Sequence, residues 1–183
     1  MNIRKTLPVV ILAALFLAAP VSGKEIVKNA ESVKSENRAF IRADGLACYF
    51  CAYGLERFFK KSGKVAAYDM DMDKGVVEIN FIKGKPLLTQ KEIHQIVYDA
   101  GYTPRETSYE LTGKIVKSGG GYTFSLIDTG EDFPLEQNSE LKNSAEKING
   151  KTVRMKAIAE KSKKDAMLFE PVEFEIVNDK TER

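Results

Sequence analysis

Two short apolar runs, separated by the tripeptide Asp73-Lys74-Gly75, limit sharply what this chain can fold into. Residues 65–72 and 76–81 alternate apolar with polar side chains, the pattern of half-buried strands. A polar joint that contains glycine is typical of a hairpin turn, since glycine adopts the positive φ that such turns need. The sequence therefore predicts two antiparallel strands that are neighbours in a sheet.

A segment with helical periodicity lies on each side of this hairpin. Before it, Leu55, Phe58 and Phe59 recur at three- and four-residue spacing and predict a helix over about 51–62. After it, Thr89-Gln90-Lys91-Glu92 has the form of a capping box that opens a second helix. The apolar face of this second helix consists of Ile93, Ile96, Val97 and Ala100.

Strand-like segments at 39–43 and from about 102 complete the pattern on either side of the two helices. The resulting order is β-α-β-β-α-β, which is the split βαβ arrangement of a ferredoxin-like sandwich. We therefore expect an α+β fold, with a ferredoxin-like domain at residues 38–106.

Beyond residue 107 the sequence consists mainly of strand-like segments. The polar stretch Pro134–Ile148 carries apolar residues at roughly helical spacing and lies between segments that alternate like strands. These strand-like segments are Tyr109–Val116, Tyr122–Ile127, Thr152–Ala159 and Met167–Val177. We expect residues 107–183 to form a second, small, mostly-β domain, for which an OB-like barrel is one form that it could take.

The N-terminus has the features of an export signal. Arg4 and Lys5 precede the apolar run Leu7–Ala19, and small residues follow it up to Gly23. We predict a signal peptide at residues 1–23, followed by a polar linker or frayed helix at 24–37. The alternative is an uncleaved anchor, although the run is shorter than a spanning helix requires. The prediction implies a periplasmic or secreted protein with no integral membrane span after cleavage.

Charge excludes one class of partner. The 28 basic residues lose Arg4 and Lys5 with the signal, which leaves 26 against 26 acidic residues. A neutral mature chain lacks the basic excess that nucleic-acid binding requires, so we expect no nucleic-acid partner.

Cys48 and Cys51 are the two cysteines of the chain, and they form a Cys-x-x-Cys pair where a strand gives way to a helix. A helix N-terminus favours the thiolate form, and two thiolates suit a soft ion with few ligands, such as Cu(I) or Hg(II). Zinc would require about four ligands. In an exported protein the same spacing also fits a structural disulfide or a redox dithiol, so three interpretations stay open.

The surroundings of the pair resemble the heavy-metal-associated (HMA) domain family, over about residues 38–106. That family comprises copper chaperones, metal-binding modules of metal-pumping ATPases and a periplasmic mercury-binding protein. The resemblance lies in Gly45-Leu46-Ala47-Cys48-Tyr49-Phe50-Cys51, Gly54-Leu55-Glu56-Arg57-Phe58-Phe59, Gly63-Lys64-Val65 and Asp99-Ala100-Gly101-Tyr102.

The resemblance implies a ferredoxin-like fold and one Cu(I) or Hg(II) ion held by Cys48 and Cys51. It also implies a carrier or metallochaperone, which hands the ion by thiol exchange to a metal-transporting membrane protein or to another chaperone. Leu46 stands where the family usually has a methionine that packs beneath the loop, and Tyr102 matches a position that approaches the loop. Both are candidates for support around the metal. The aromatic Tyr49-Phe50 pair departs from the small or polar residues that are common there.

Other residues with possible chemistry have simpler interpretations. His94 lies off the apolar face of the second helix, so we expect it to be solvated. Met70 and Met72 share one face of a strand and could bind Cu(I), but we favour packing. Asp69 belongs to an acidic series that we expect at a solvent-facing sheet edge.

Catalysis is not indicated by the remaining residues. Beyond residue 107 there is no cysteine or histidine, and the hydroxyl residues lack a general base of the usual kind. We therefore expect a binding protein rather than an enzyme. The alternatives are a thiol-disulfide oxidoreductase that uses the same two cysteines and an interaction module with a disulfide and no metal.

Overall fold

The computed structural model describes residues 34–46, 49–161 and 167–177, and these form eight strands and three helices. In chain order the elements are β1 (Lys34–Asp44), α1 (Tyr49–Lys61), β2 (Val65–Asp71), β3 (Val76–Ile82), α2 (Gln90–Asp99), β4 (Thr103–Ser118), β5 (Gly121–Leu126), β6 (Asp132–Pro134), α3 (Ser139–Ile148), β7 (Thr152–Lys161) and β8 (Met167–Ile176).

The first half has the predicted β-α-β-β-α-β order. Its strands lie in the order β2-β3-β1-β4, and each neighbouring pair is antiparallel, as the ferredoxin-like arrangement requires. Leu55 and Phe59 of α1 and Ile93 and Val97 of α2 are fully buried in the core. Phe58 is 42% exposed, so its predicted place on the apolar face is wrong. It lies about 100° around the helix from Phe59, at the margin of the buried face.

The predicted turns and caps of this half are confirmed. Gly75 has a φ of 62° in the hairpin between β2 and β3. The Thr89 hydroxyl accepts a hydrogen bond from the Glu92 amide, while the Glu92 carboxylate accepts one from the Thr89 amide, which completes the capping box of α2. The helix therefore starts where the sequence predicts.

Strand β1 begins at Lys34, inside the segment 24–37 that the sequence predicts to be a linker. The physical reason is Asn37, which is buried, and whose side-chain oxygen accepts from the Thr112 amide at 2.8 Å. Its amide nitrogen also donates to the Asp128 carboxylate at 2.9 Å. These bonds hold a polar stretch in the sheet that apolar patterning alone does not mark.

Strand β4 is continuous where the sequence predicts two separate strands. Its first part pairs with β1, its middle, residues 108–114, pairs with β7, and its last part, residues 113–118, pairs with β5. The predicted boundary between residues 106 and 107 falls inside this strand. The division into two separate domains stays a prediction, while the sheet itself extends through both halves.

The strands of the second half follow a ring of pairings. β4 pairs with β5, β5 with β6, β8 with β7, and β7 with β4. Between β6 and β8 the contact is a parallel bridge from Leu135 to Phe169, where the Glu136 amide donates to the Phe169 carbonyl at 2.9 Å. The helix α3 lies between β6 and β7 in the chain and buries Leu141, Ala145 and Ile148.

Residues 1–33, which contain the predicted signal peptide and most of the predicted linker, lie outside the described residues. Within the described part of the chain, no helix has both the length and the apolar character that crossing a membrane would require.

Candidate metal centre

The backbone at the end of β1 turns sharply at Gly45, which has a φ of 93°. A Cβ atom at this position would lie 3.6 Å from Cδ1 of Tyr102, so the Tyr102 ring packs beside the start of the loop. The next residue, Leu46, is buried and belongs to the main core. Tyr102 and Leu46 thus lie at the start of the cysteine loop. Their roles toward a metal stay predictions.

Cys51 is the third residue of α1 and therefore lies in its first turn. Backbone N–H groups without helical partners give this end of a helix a partial positive charge, which favours a thiolate. The first turn contains no acidic residue that would oppose this effect. The helix starts two residues earlier than predicted, so Tyr49 and Phe50 belong to the same turn. Cys48 lies outside the described residues.

The opposite end of α1 fixes the helix to the sheet. Leu55 and Phe59 anchor it in the core, and the Phe59 ring lies 6.0 Å from the Tyr68 ring of β2, measured between centroids. Lys60 and Lys61 occupy the last turn, where basic residues complement the helix dipole. The position of the first turn is therefore set by packing further along the helix.

The β2–β3 hairpin lies beside the end of β1. The Ala43 amide donates to the Gly75 carbonyl at 3.0 Å, and a Cβ on Gly75 would lie 3.3 Å from the Ala43 carbonyl oxygen. Since Ala43 is two residues before the turn at Gly45, the hairpin borders the same end of the molecule as the cysteine loop. Three connections meet there: β1 to α1, β2 to β3, and α2 to β4.

Tyr68 and Met70 lie on the face of β2 that points toward the helices. The Tyr68 hydroxyl donates to the Met70 sulfur at 3.6 Å. Burial raises the pKa of Tyr68, and the negative charge of Glu56 raises it further. The phenol therefore stays neutral and keeps its proton available for this bond. Tyr68 is not among the residues that the sequence predicts near the site, although its alternation with Met70 along the strand is a signal for it.

Two ion pairs lie on the surface near the end of β1 and the β2–β3 turn. The Arg105 guanidinium contacts the Asp44 carboxylate at 2.6 Å and lowers the pKa of Asp44, mainly through their hydrogen bond. Lys74 lies 2.7 Å from Asp71 within the hairpin turn and likewise lowers the pKa of Asp71. Both pairs are exposed, so they contribute little to stability. Asp69 is exposed on β2, an edge strand, as predicted.

His94 is not solvated as the sequence predicts. Its Nε2 atom lies 3.0 Å from the Thr107 hydroxyl, and the ring is half-buried between α2 and β4. His94 is half-buried because of the way α2 packs on β4, which the periodicity of the sequence does not encode. Among the described residues no group of three or more His, Cys, Asp or Glu side chains could hold a metal ion.

Solved structures are similar to part of this chain. One is a copper-binding domain of HMA7, a P-type ATPase, with 17% identity and a TM-score of 0.34, covering 38% of this chain and 90% of that one. A second, from work on crosstalk between Cu(I) and Zn(II) homeostasis, has 20% identity and a TM-score of 0.34, and covers 39% and 97%. A third is a predicted copper-ion-binding protein from Bacillus anthracis, with 23% identity and a TM-score of 0.32, covering 36% and 90%.

No protein-family model matches this chain, and no curated protein matches it. The ferredoxin-like fold of the first half follows from the strand order and register described above.

Proposed function

We propose that this protein is an exported carrier of a soft metal ion, which binds one Cu(I) or Hg(II) per chain through Cys48 and Cys51. The observation that carries the proposal is the position of Cys51 in the first turn of α1, directly after the loop from β1. There the helix dipole favours the thiolate, and the first turn holds no acidic residue.

The donor set suits a soft ion. Two thiolates satisfy Cu(I) or Hg(II), which accept linear or trigonal coordination, whereas structural zinc would require about four ligands. The metal is cargo in this proposal. A metal-transporting membrane protein or another chaperone would receive it by exchange of thiol ligands, in the periplasm or outside the cell. No enzymatic step and no nucleic-acid partner form part of the proposed role.

The second half is proposed to be a barrel of the OB type. The ring of pairings β4-β5-β6-β8-β7, with its parallel contact between β6 and β8, supports this proposal. So does the position of α3 between β6 and β7, which are the third and fourth of these strands in chain order. Such barrels bind varied ligands through their strands and loops, so the topology by itself assigns no activity.

Titration of the reduced protein with Cu(I), in competition with a chromophoric chelator, tests the metal-binding proposal. We expect one equivalent to bind, and we expect the Cys48→Ser/Cys51→Ser variant to lose this binding because both sulfur ligands are gone. His94→Gln is a matched control, since it removes another potential ligand and should bind Cu(I) as the parent does. Equal, weak binding by the parent and the double variant would contradict the proposal.

The Cys48→Ser/Cys51→Ser variant also tests the alternative function, a thiol-disulfide oxidoreductase. A thiol-disulfide oxidoreductase would show a reduction potential in the oxidant range and would rearrange the disulfides of a scrambled substrate. We expect neither from the parent protein. Cysteine-dependent isomerase activity without Cu(I) binding would favour the oxidoreductase instead.

A further inference from the structure

Basic side chains gather at the end of the first half that lies opposite the β2–β3 turn. Three segments meet there: the last part of α1 with its connection to β2, the loop after β3, and the first turn of α2. The Ile82 amide donates to the Lys64 carbonyl at 2.9 Å, which joins the first two segments. The Lys64 ammonium donates to the Leu87 carbonyl at 3.3 Å and lies 2.9 Å from the Glu92 carboxylate of α2. One continuous surface therefore surrounds Lys64.

Five cations on this surface are exposed, and we call them the basic patch. They are Arg57 and Lys61 of α1, Lys83 and Lys85 of the loop after β3, and Lys91 of α2. None of the five forms an ion pair with an acidic side chain of the described residues. Lys60 and Lys64 lie among them, and each is paired with one carboxylate, that of Glu56 or Glu92. Glu131, which accepts from the Leu87 amide, borders the patch. The surface therefore keeps an excess of positive charge.

An exposed aromatic side chain lies within the basic patch. Phe58 is 42% exposed and lies three residues before Lys61, so the two side chains are neighbours on the surface of α1. The cations belong to three separate segments and all stay exposed, which does not suit the capture of one small anion in a pocket. An extended anionic surface can meet all of them together, while the Phe58 ring enters the boundary between lipid headgroups and acyl chains. This combination favours a bilayer over a nucleic-acid duplex, whose phosphates would leave the ring in water.

The opposite end of the first half carries exposed carboxylates. They include Asp73 in the β2–β3 turn and Asp99, the last residue of α2. The 13 residues of α1 extend from that end to the basic patch, a distance of about 20 Å. An anionic surface attracts the patch and repels the carboxylates, so this distribution of charge also sets an orientation.

We propose that the basic patch docks this protein on the anionic surface of a lipid bilayer. The contact is peripheral, and the end with the β2–β3 turn points away from the lipid. Each lysine or arginine near an anionic surface strengthens binding about fivefold, so five unpaired cations support a reversible contact that salt weakens. The proposal does not depend on metal binding, because no residue of the basic patch belongs to the predicted metal site.

Sedimentation with lipid vesicles tests the proposal. The processed protein, without the predicted signal at residues 1–23, would be mixed with vesicles of phosphatidylcholine alone or of phosphatidylcholine with phosphatidylglycerol. We expect binding to the vesicles with phosphatidylglycerol only, and its loss in high salt. Lys61→Gln/Lys83→Gln/Lys85→Gln should bind these vesicles at least about tenfold more weakly, because three of the five cations are gone.

Two further variants are controls. The corresponding triple arginine variant keeps the charge of the basic patch and should bind as the parent does. Lys142→Gln/Lys147→Gln/Lys151→Gln removes the same charge from exposed positions on α3 and the turn after it, and should also bind as the parent does. Equal weakening in this last variant would overturn the proposal, since net charge alone would then explain binding. So would a parent that binds both kinds of vesicle equally, that binds neither, or that binds duplex DNA but not phosphatidylglycerol.

Discussion

At the scale of single residues, the His94 imidazole lies half-buried between a helix and the long strand β4, with its Nε2 atom 3.0 Å from the Thr107 hydroxyl. Thr107 is completely buried. Burial lowers the pKa of His94 below its ordinary value of 6.5, and a hydrogen bond from the ring to the backbone of Arg105 offsets part of this effect. The neutral imidazole is therefore the form that the folded protein favours.

This depressed pKa predicts a dependence of stability on pH. Below about 6.5 the unfolded chain takes up a proton at His94 more readily than the folded protein does, so stability decreases as pH falls. The stabilisation from the neutral His94 is complete above that pH, and it is lost as pH falls toward the lower pKa of the folded state. Denaturant unfolding at pH 8 and pH 5 measures it. His94→Gln should show a smaller decrease than the parent, and equal decreases would contradict the assignment.

At the scale of elements, β4 is one strand that pairs with strands of both halves of the chain. At Gly113 it pairs with Leu126 of β5 on one side and with Val153 of β7 on the other. A Cβ on Gly113 would lie 2.6 Å from Cζ of Phe124 and closer still to the Ser125 carbonyl oxygen. The absence of a side chain lets the Phe124 ring cover the strand, and Phe124 is fully buried as a result.

Two glycine variants test this explanation. Gly113→Ala should reduce the free energy of unfolding by about 1–3 kcal/mol, because an aromatic ring and a backbone carbonyl must both move. Gly54→Ala is the matched control, since nothing lies within 4 Å of its Cβ position in α1. It should raise the free energy of unfolding by about 0.5–1 kcal/mol, as alanine favours a helix interior. Urea denaturation compares the two, and a neutral Gly113→Ala would contradict the steric account.

At the scale of the whole molecule, side chains from both halves join into one core. Tyr109 of β4 is fully buried, its ring stacks on Phe81 of β3, and it meets Phe169 of β8 edge to face. Its hydroxyl donates to the Leu88 carbonyl at 2.9 Å. Tyr109 thus contacts elements on both sides of the predicted domain boundary.

The solvent face of the sheet carries a matching set of charges. Arg38 of β1 contacts Glu78 of β3 and Glu110 of β4. Lys156 of β7 lies 3.8 Å from the same Glu110 and 3.3 Å from Glu173 of β8. Opposite charges therefore alternate across five strands of the two halves, which favours a single register of the whole sheet.

These contacts predict that the two halves unfold together. Hydrogen exchange of amides in β3 and β7 should give the same opening free energy, and Tyr109→Ala should lower both by about 3–5 kcal/mol because it leaves a large cavity. Tyr98→Ala, at a position 70% exposed, is the control and should change neither by more than about 0.5 kcal/mol. Loss of protection in β7 alone would indicate two independent domains.

Local patterns predicted the elements of this fold because each pattern acts over a few residues. The capping box at Thr89, the hairpin at Gly75 and the apolar face of α2 all follow from local backbone and side-chain chemistry. The position of Cys51 in the first turn of α1 follows from the same kind of signal. The three-residue strand β6 was missed, since so short a segment has no periodicity to detect.

The sequence by itself determined the βαββαβ order and the place of Cys51 at the start of the first helix, since periodicity and helix-start signals are local properties. Only the tertiary structure decided that β4 is one strand, that His94 meets Thr107, and that the β2–β3 turn lies beside the end of β1. These are pairings between residues distant in the chain. They depend on which register buries the most apolar surface and satisfies the buried polar groups together.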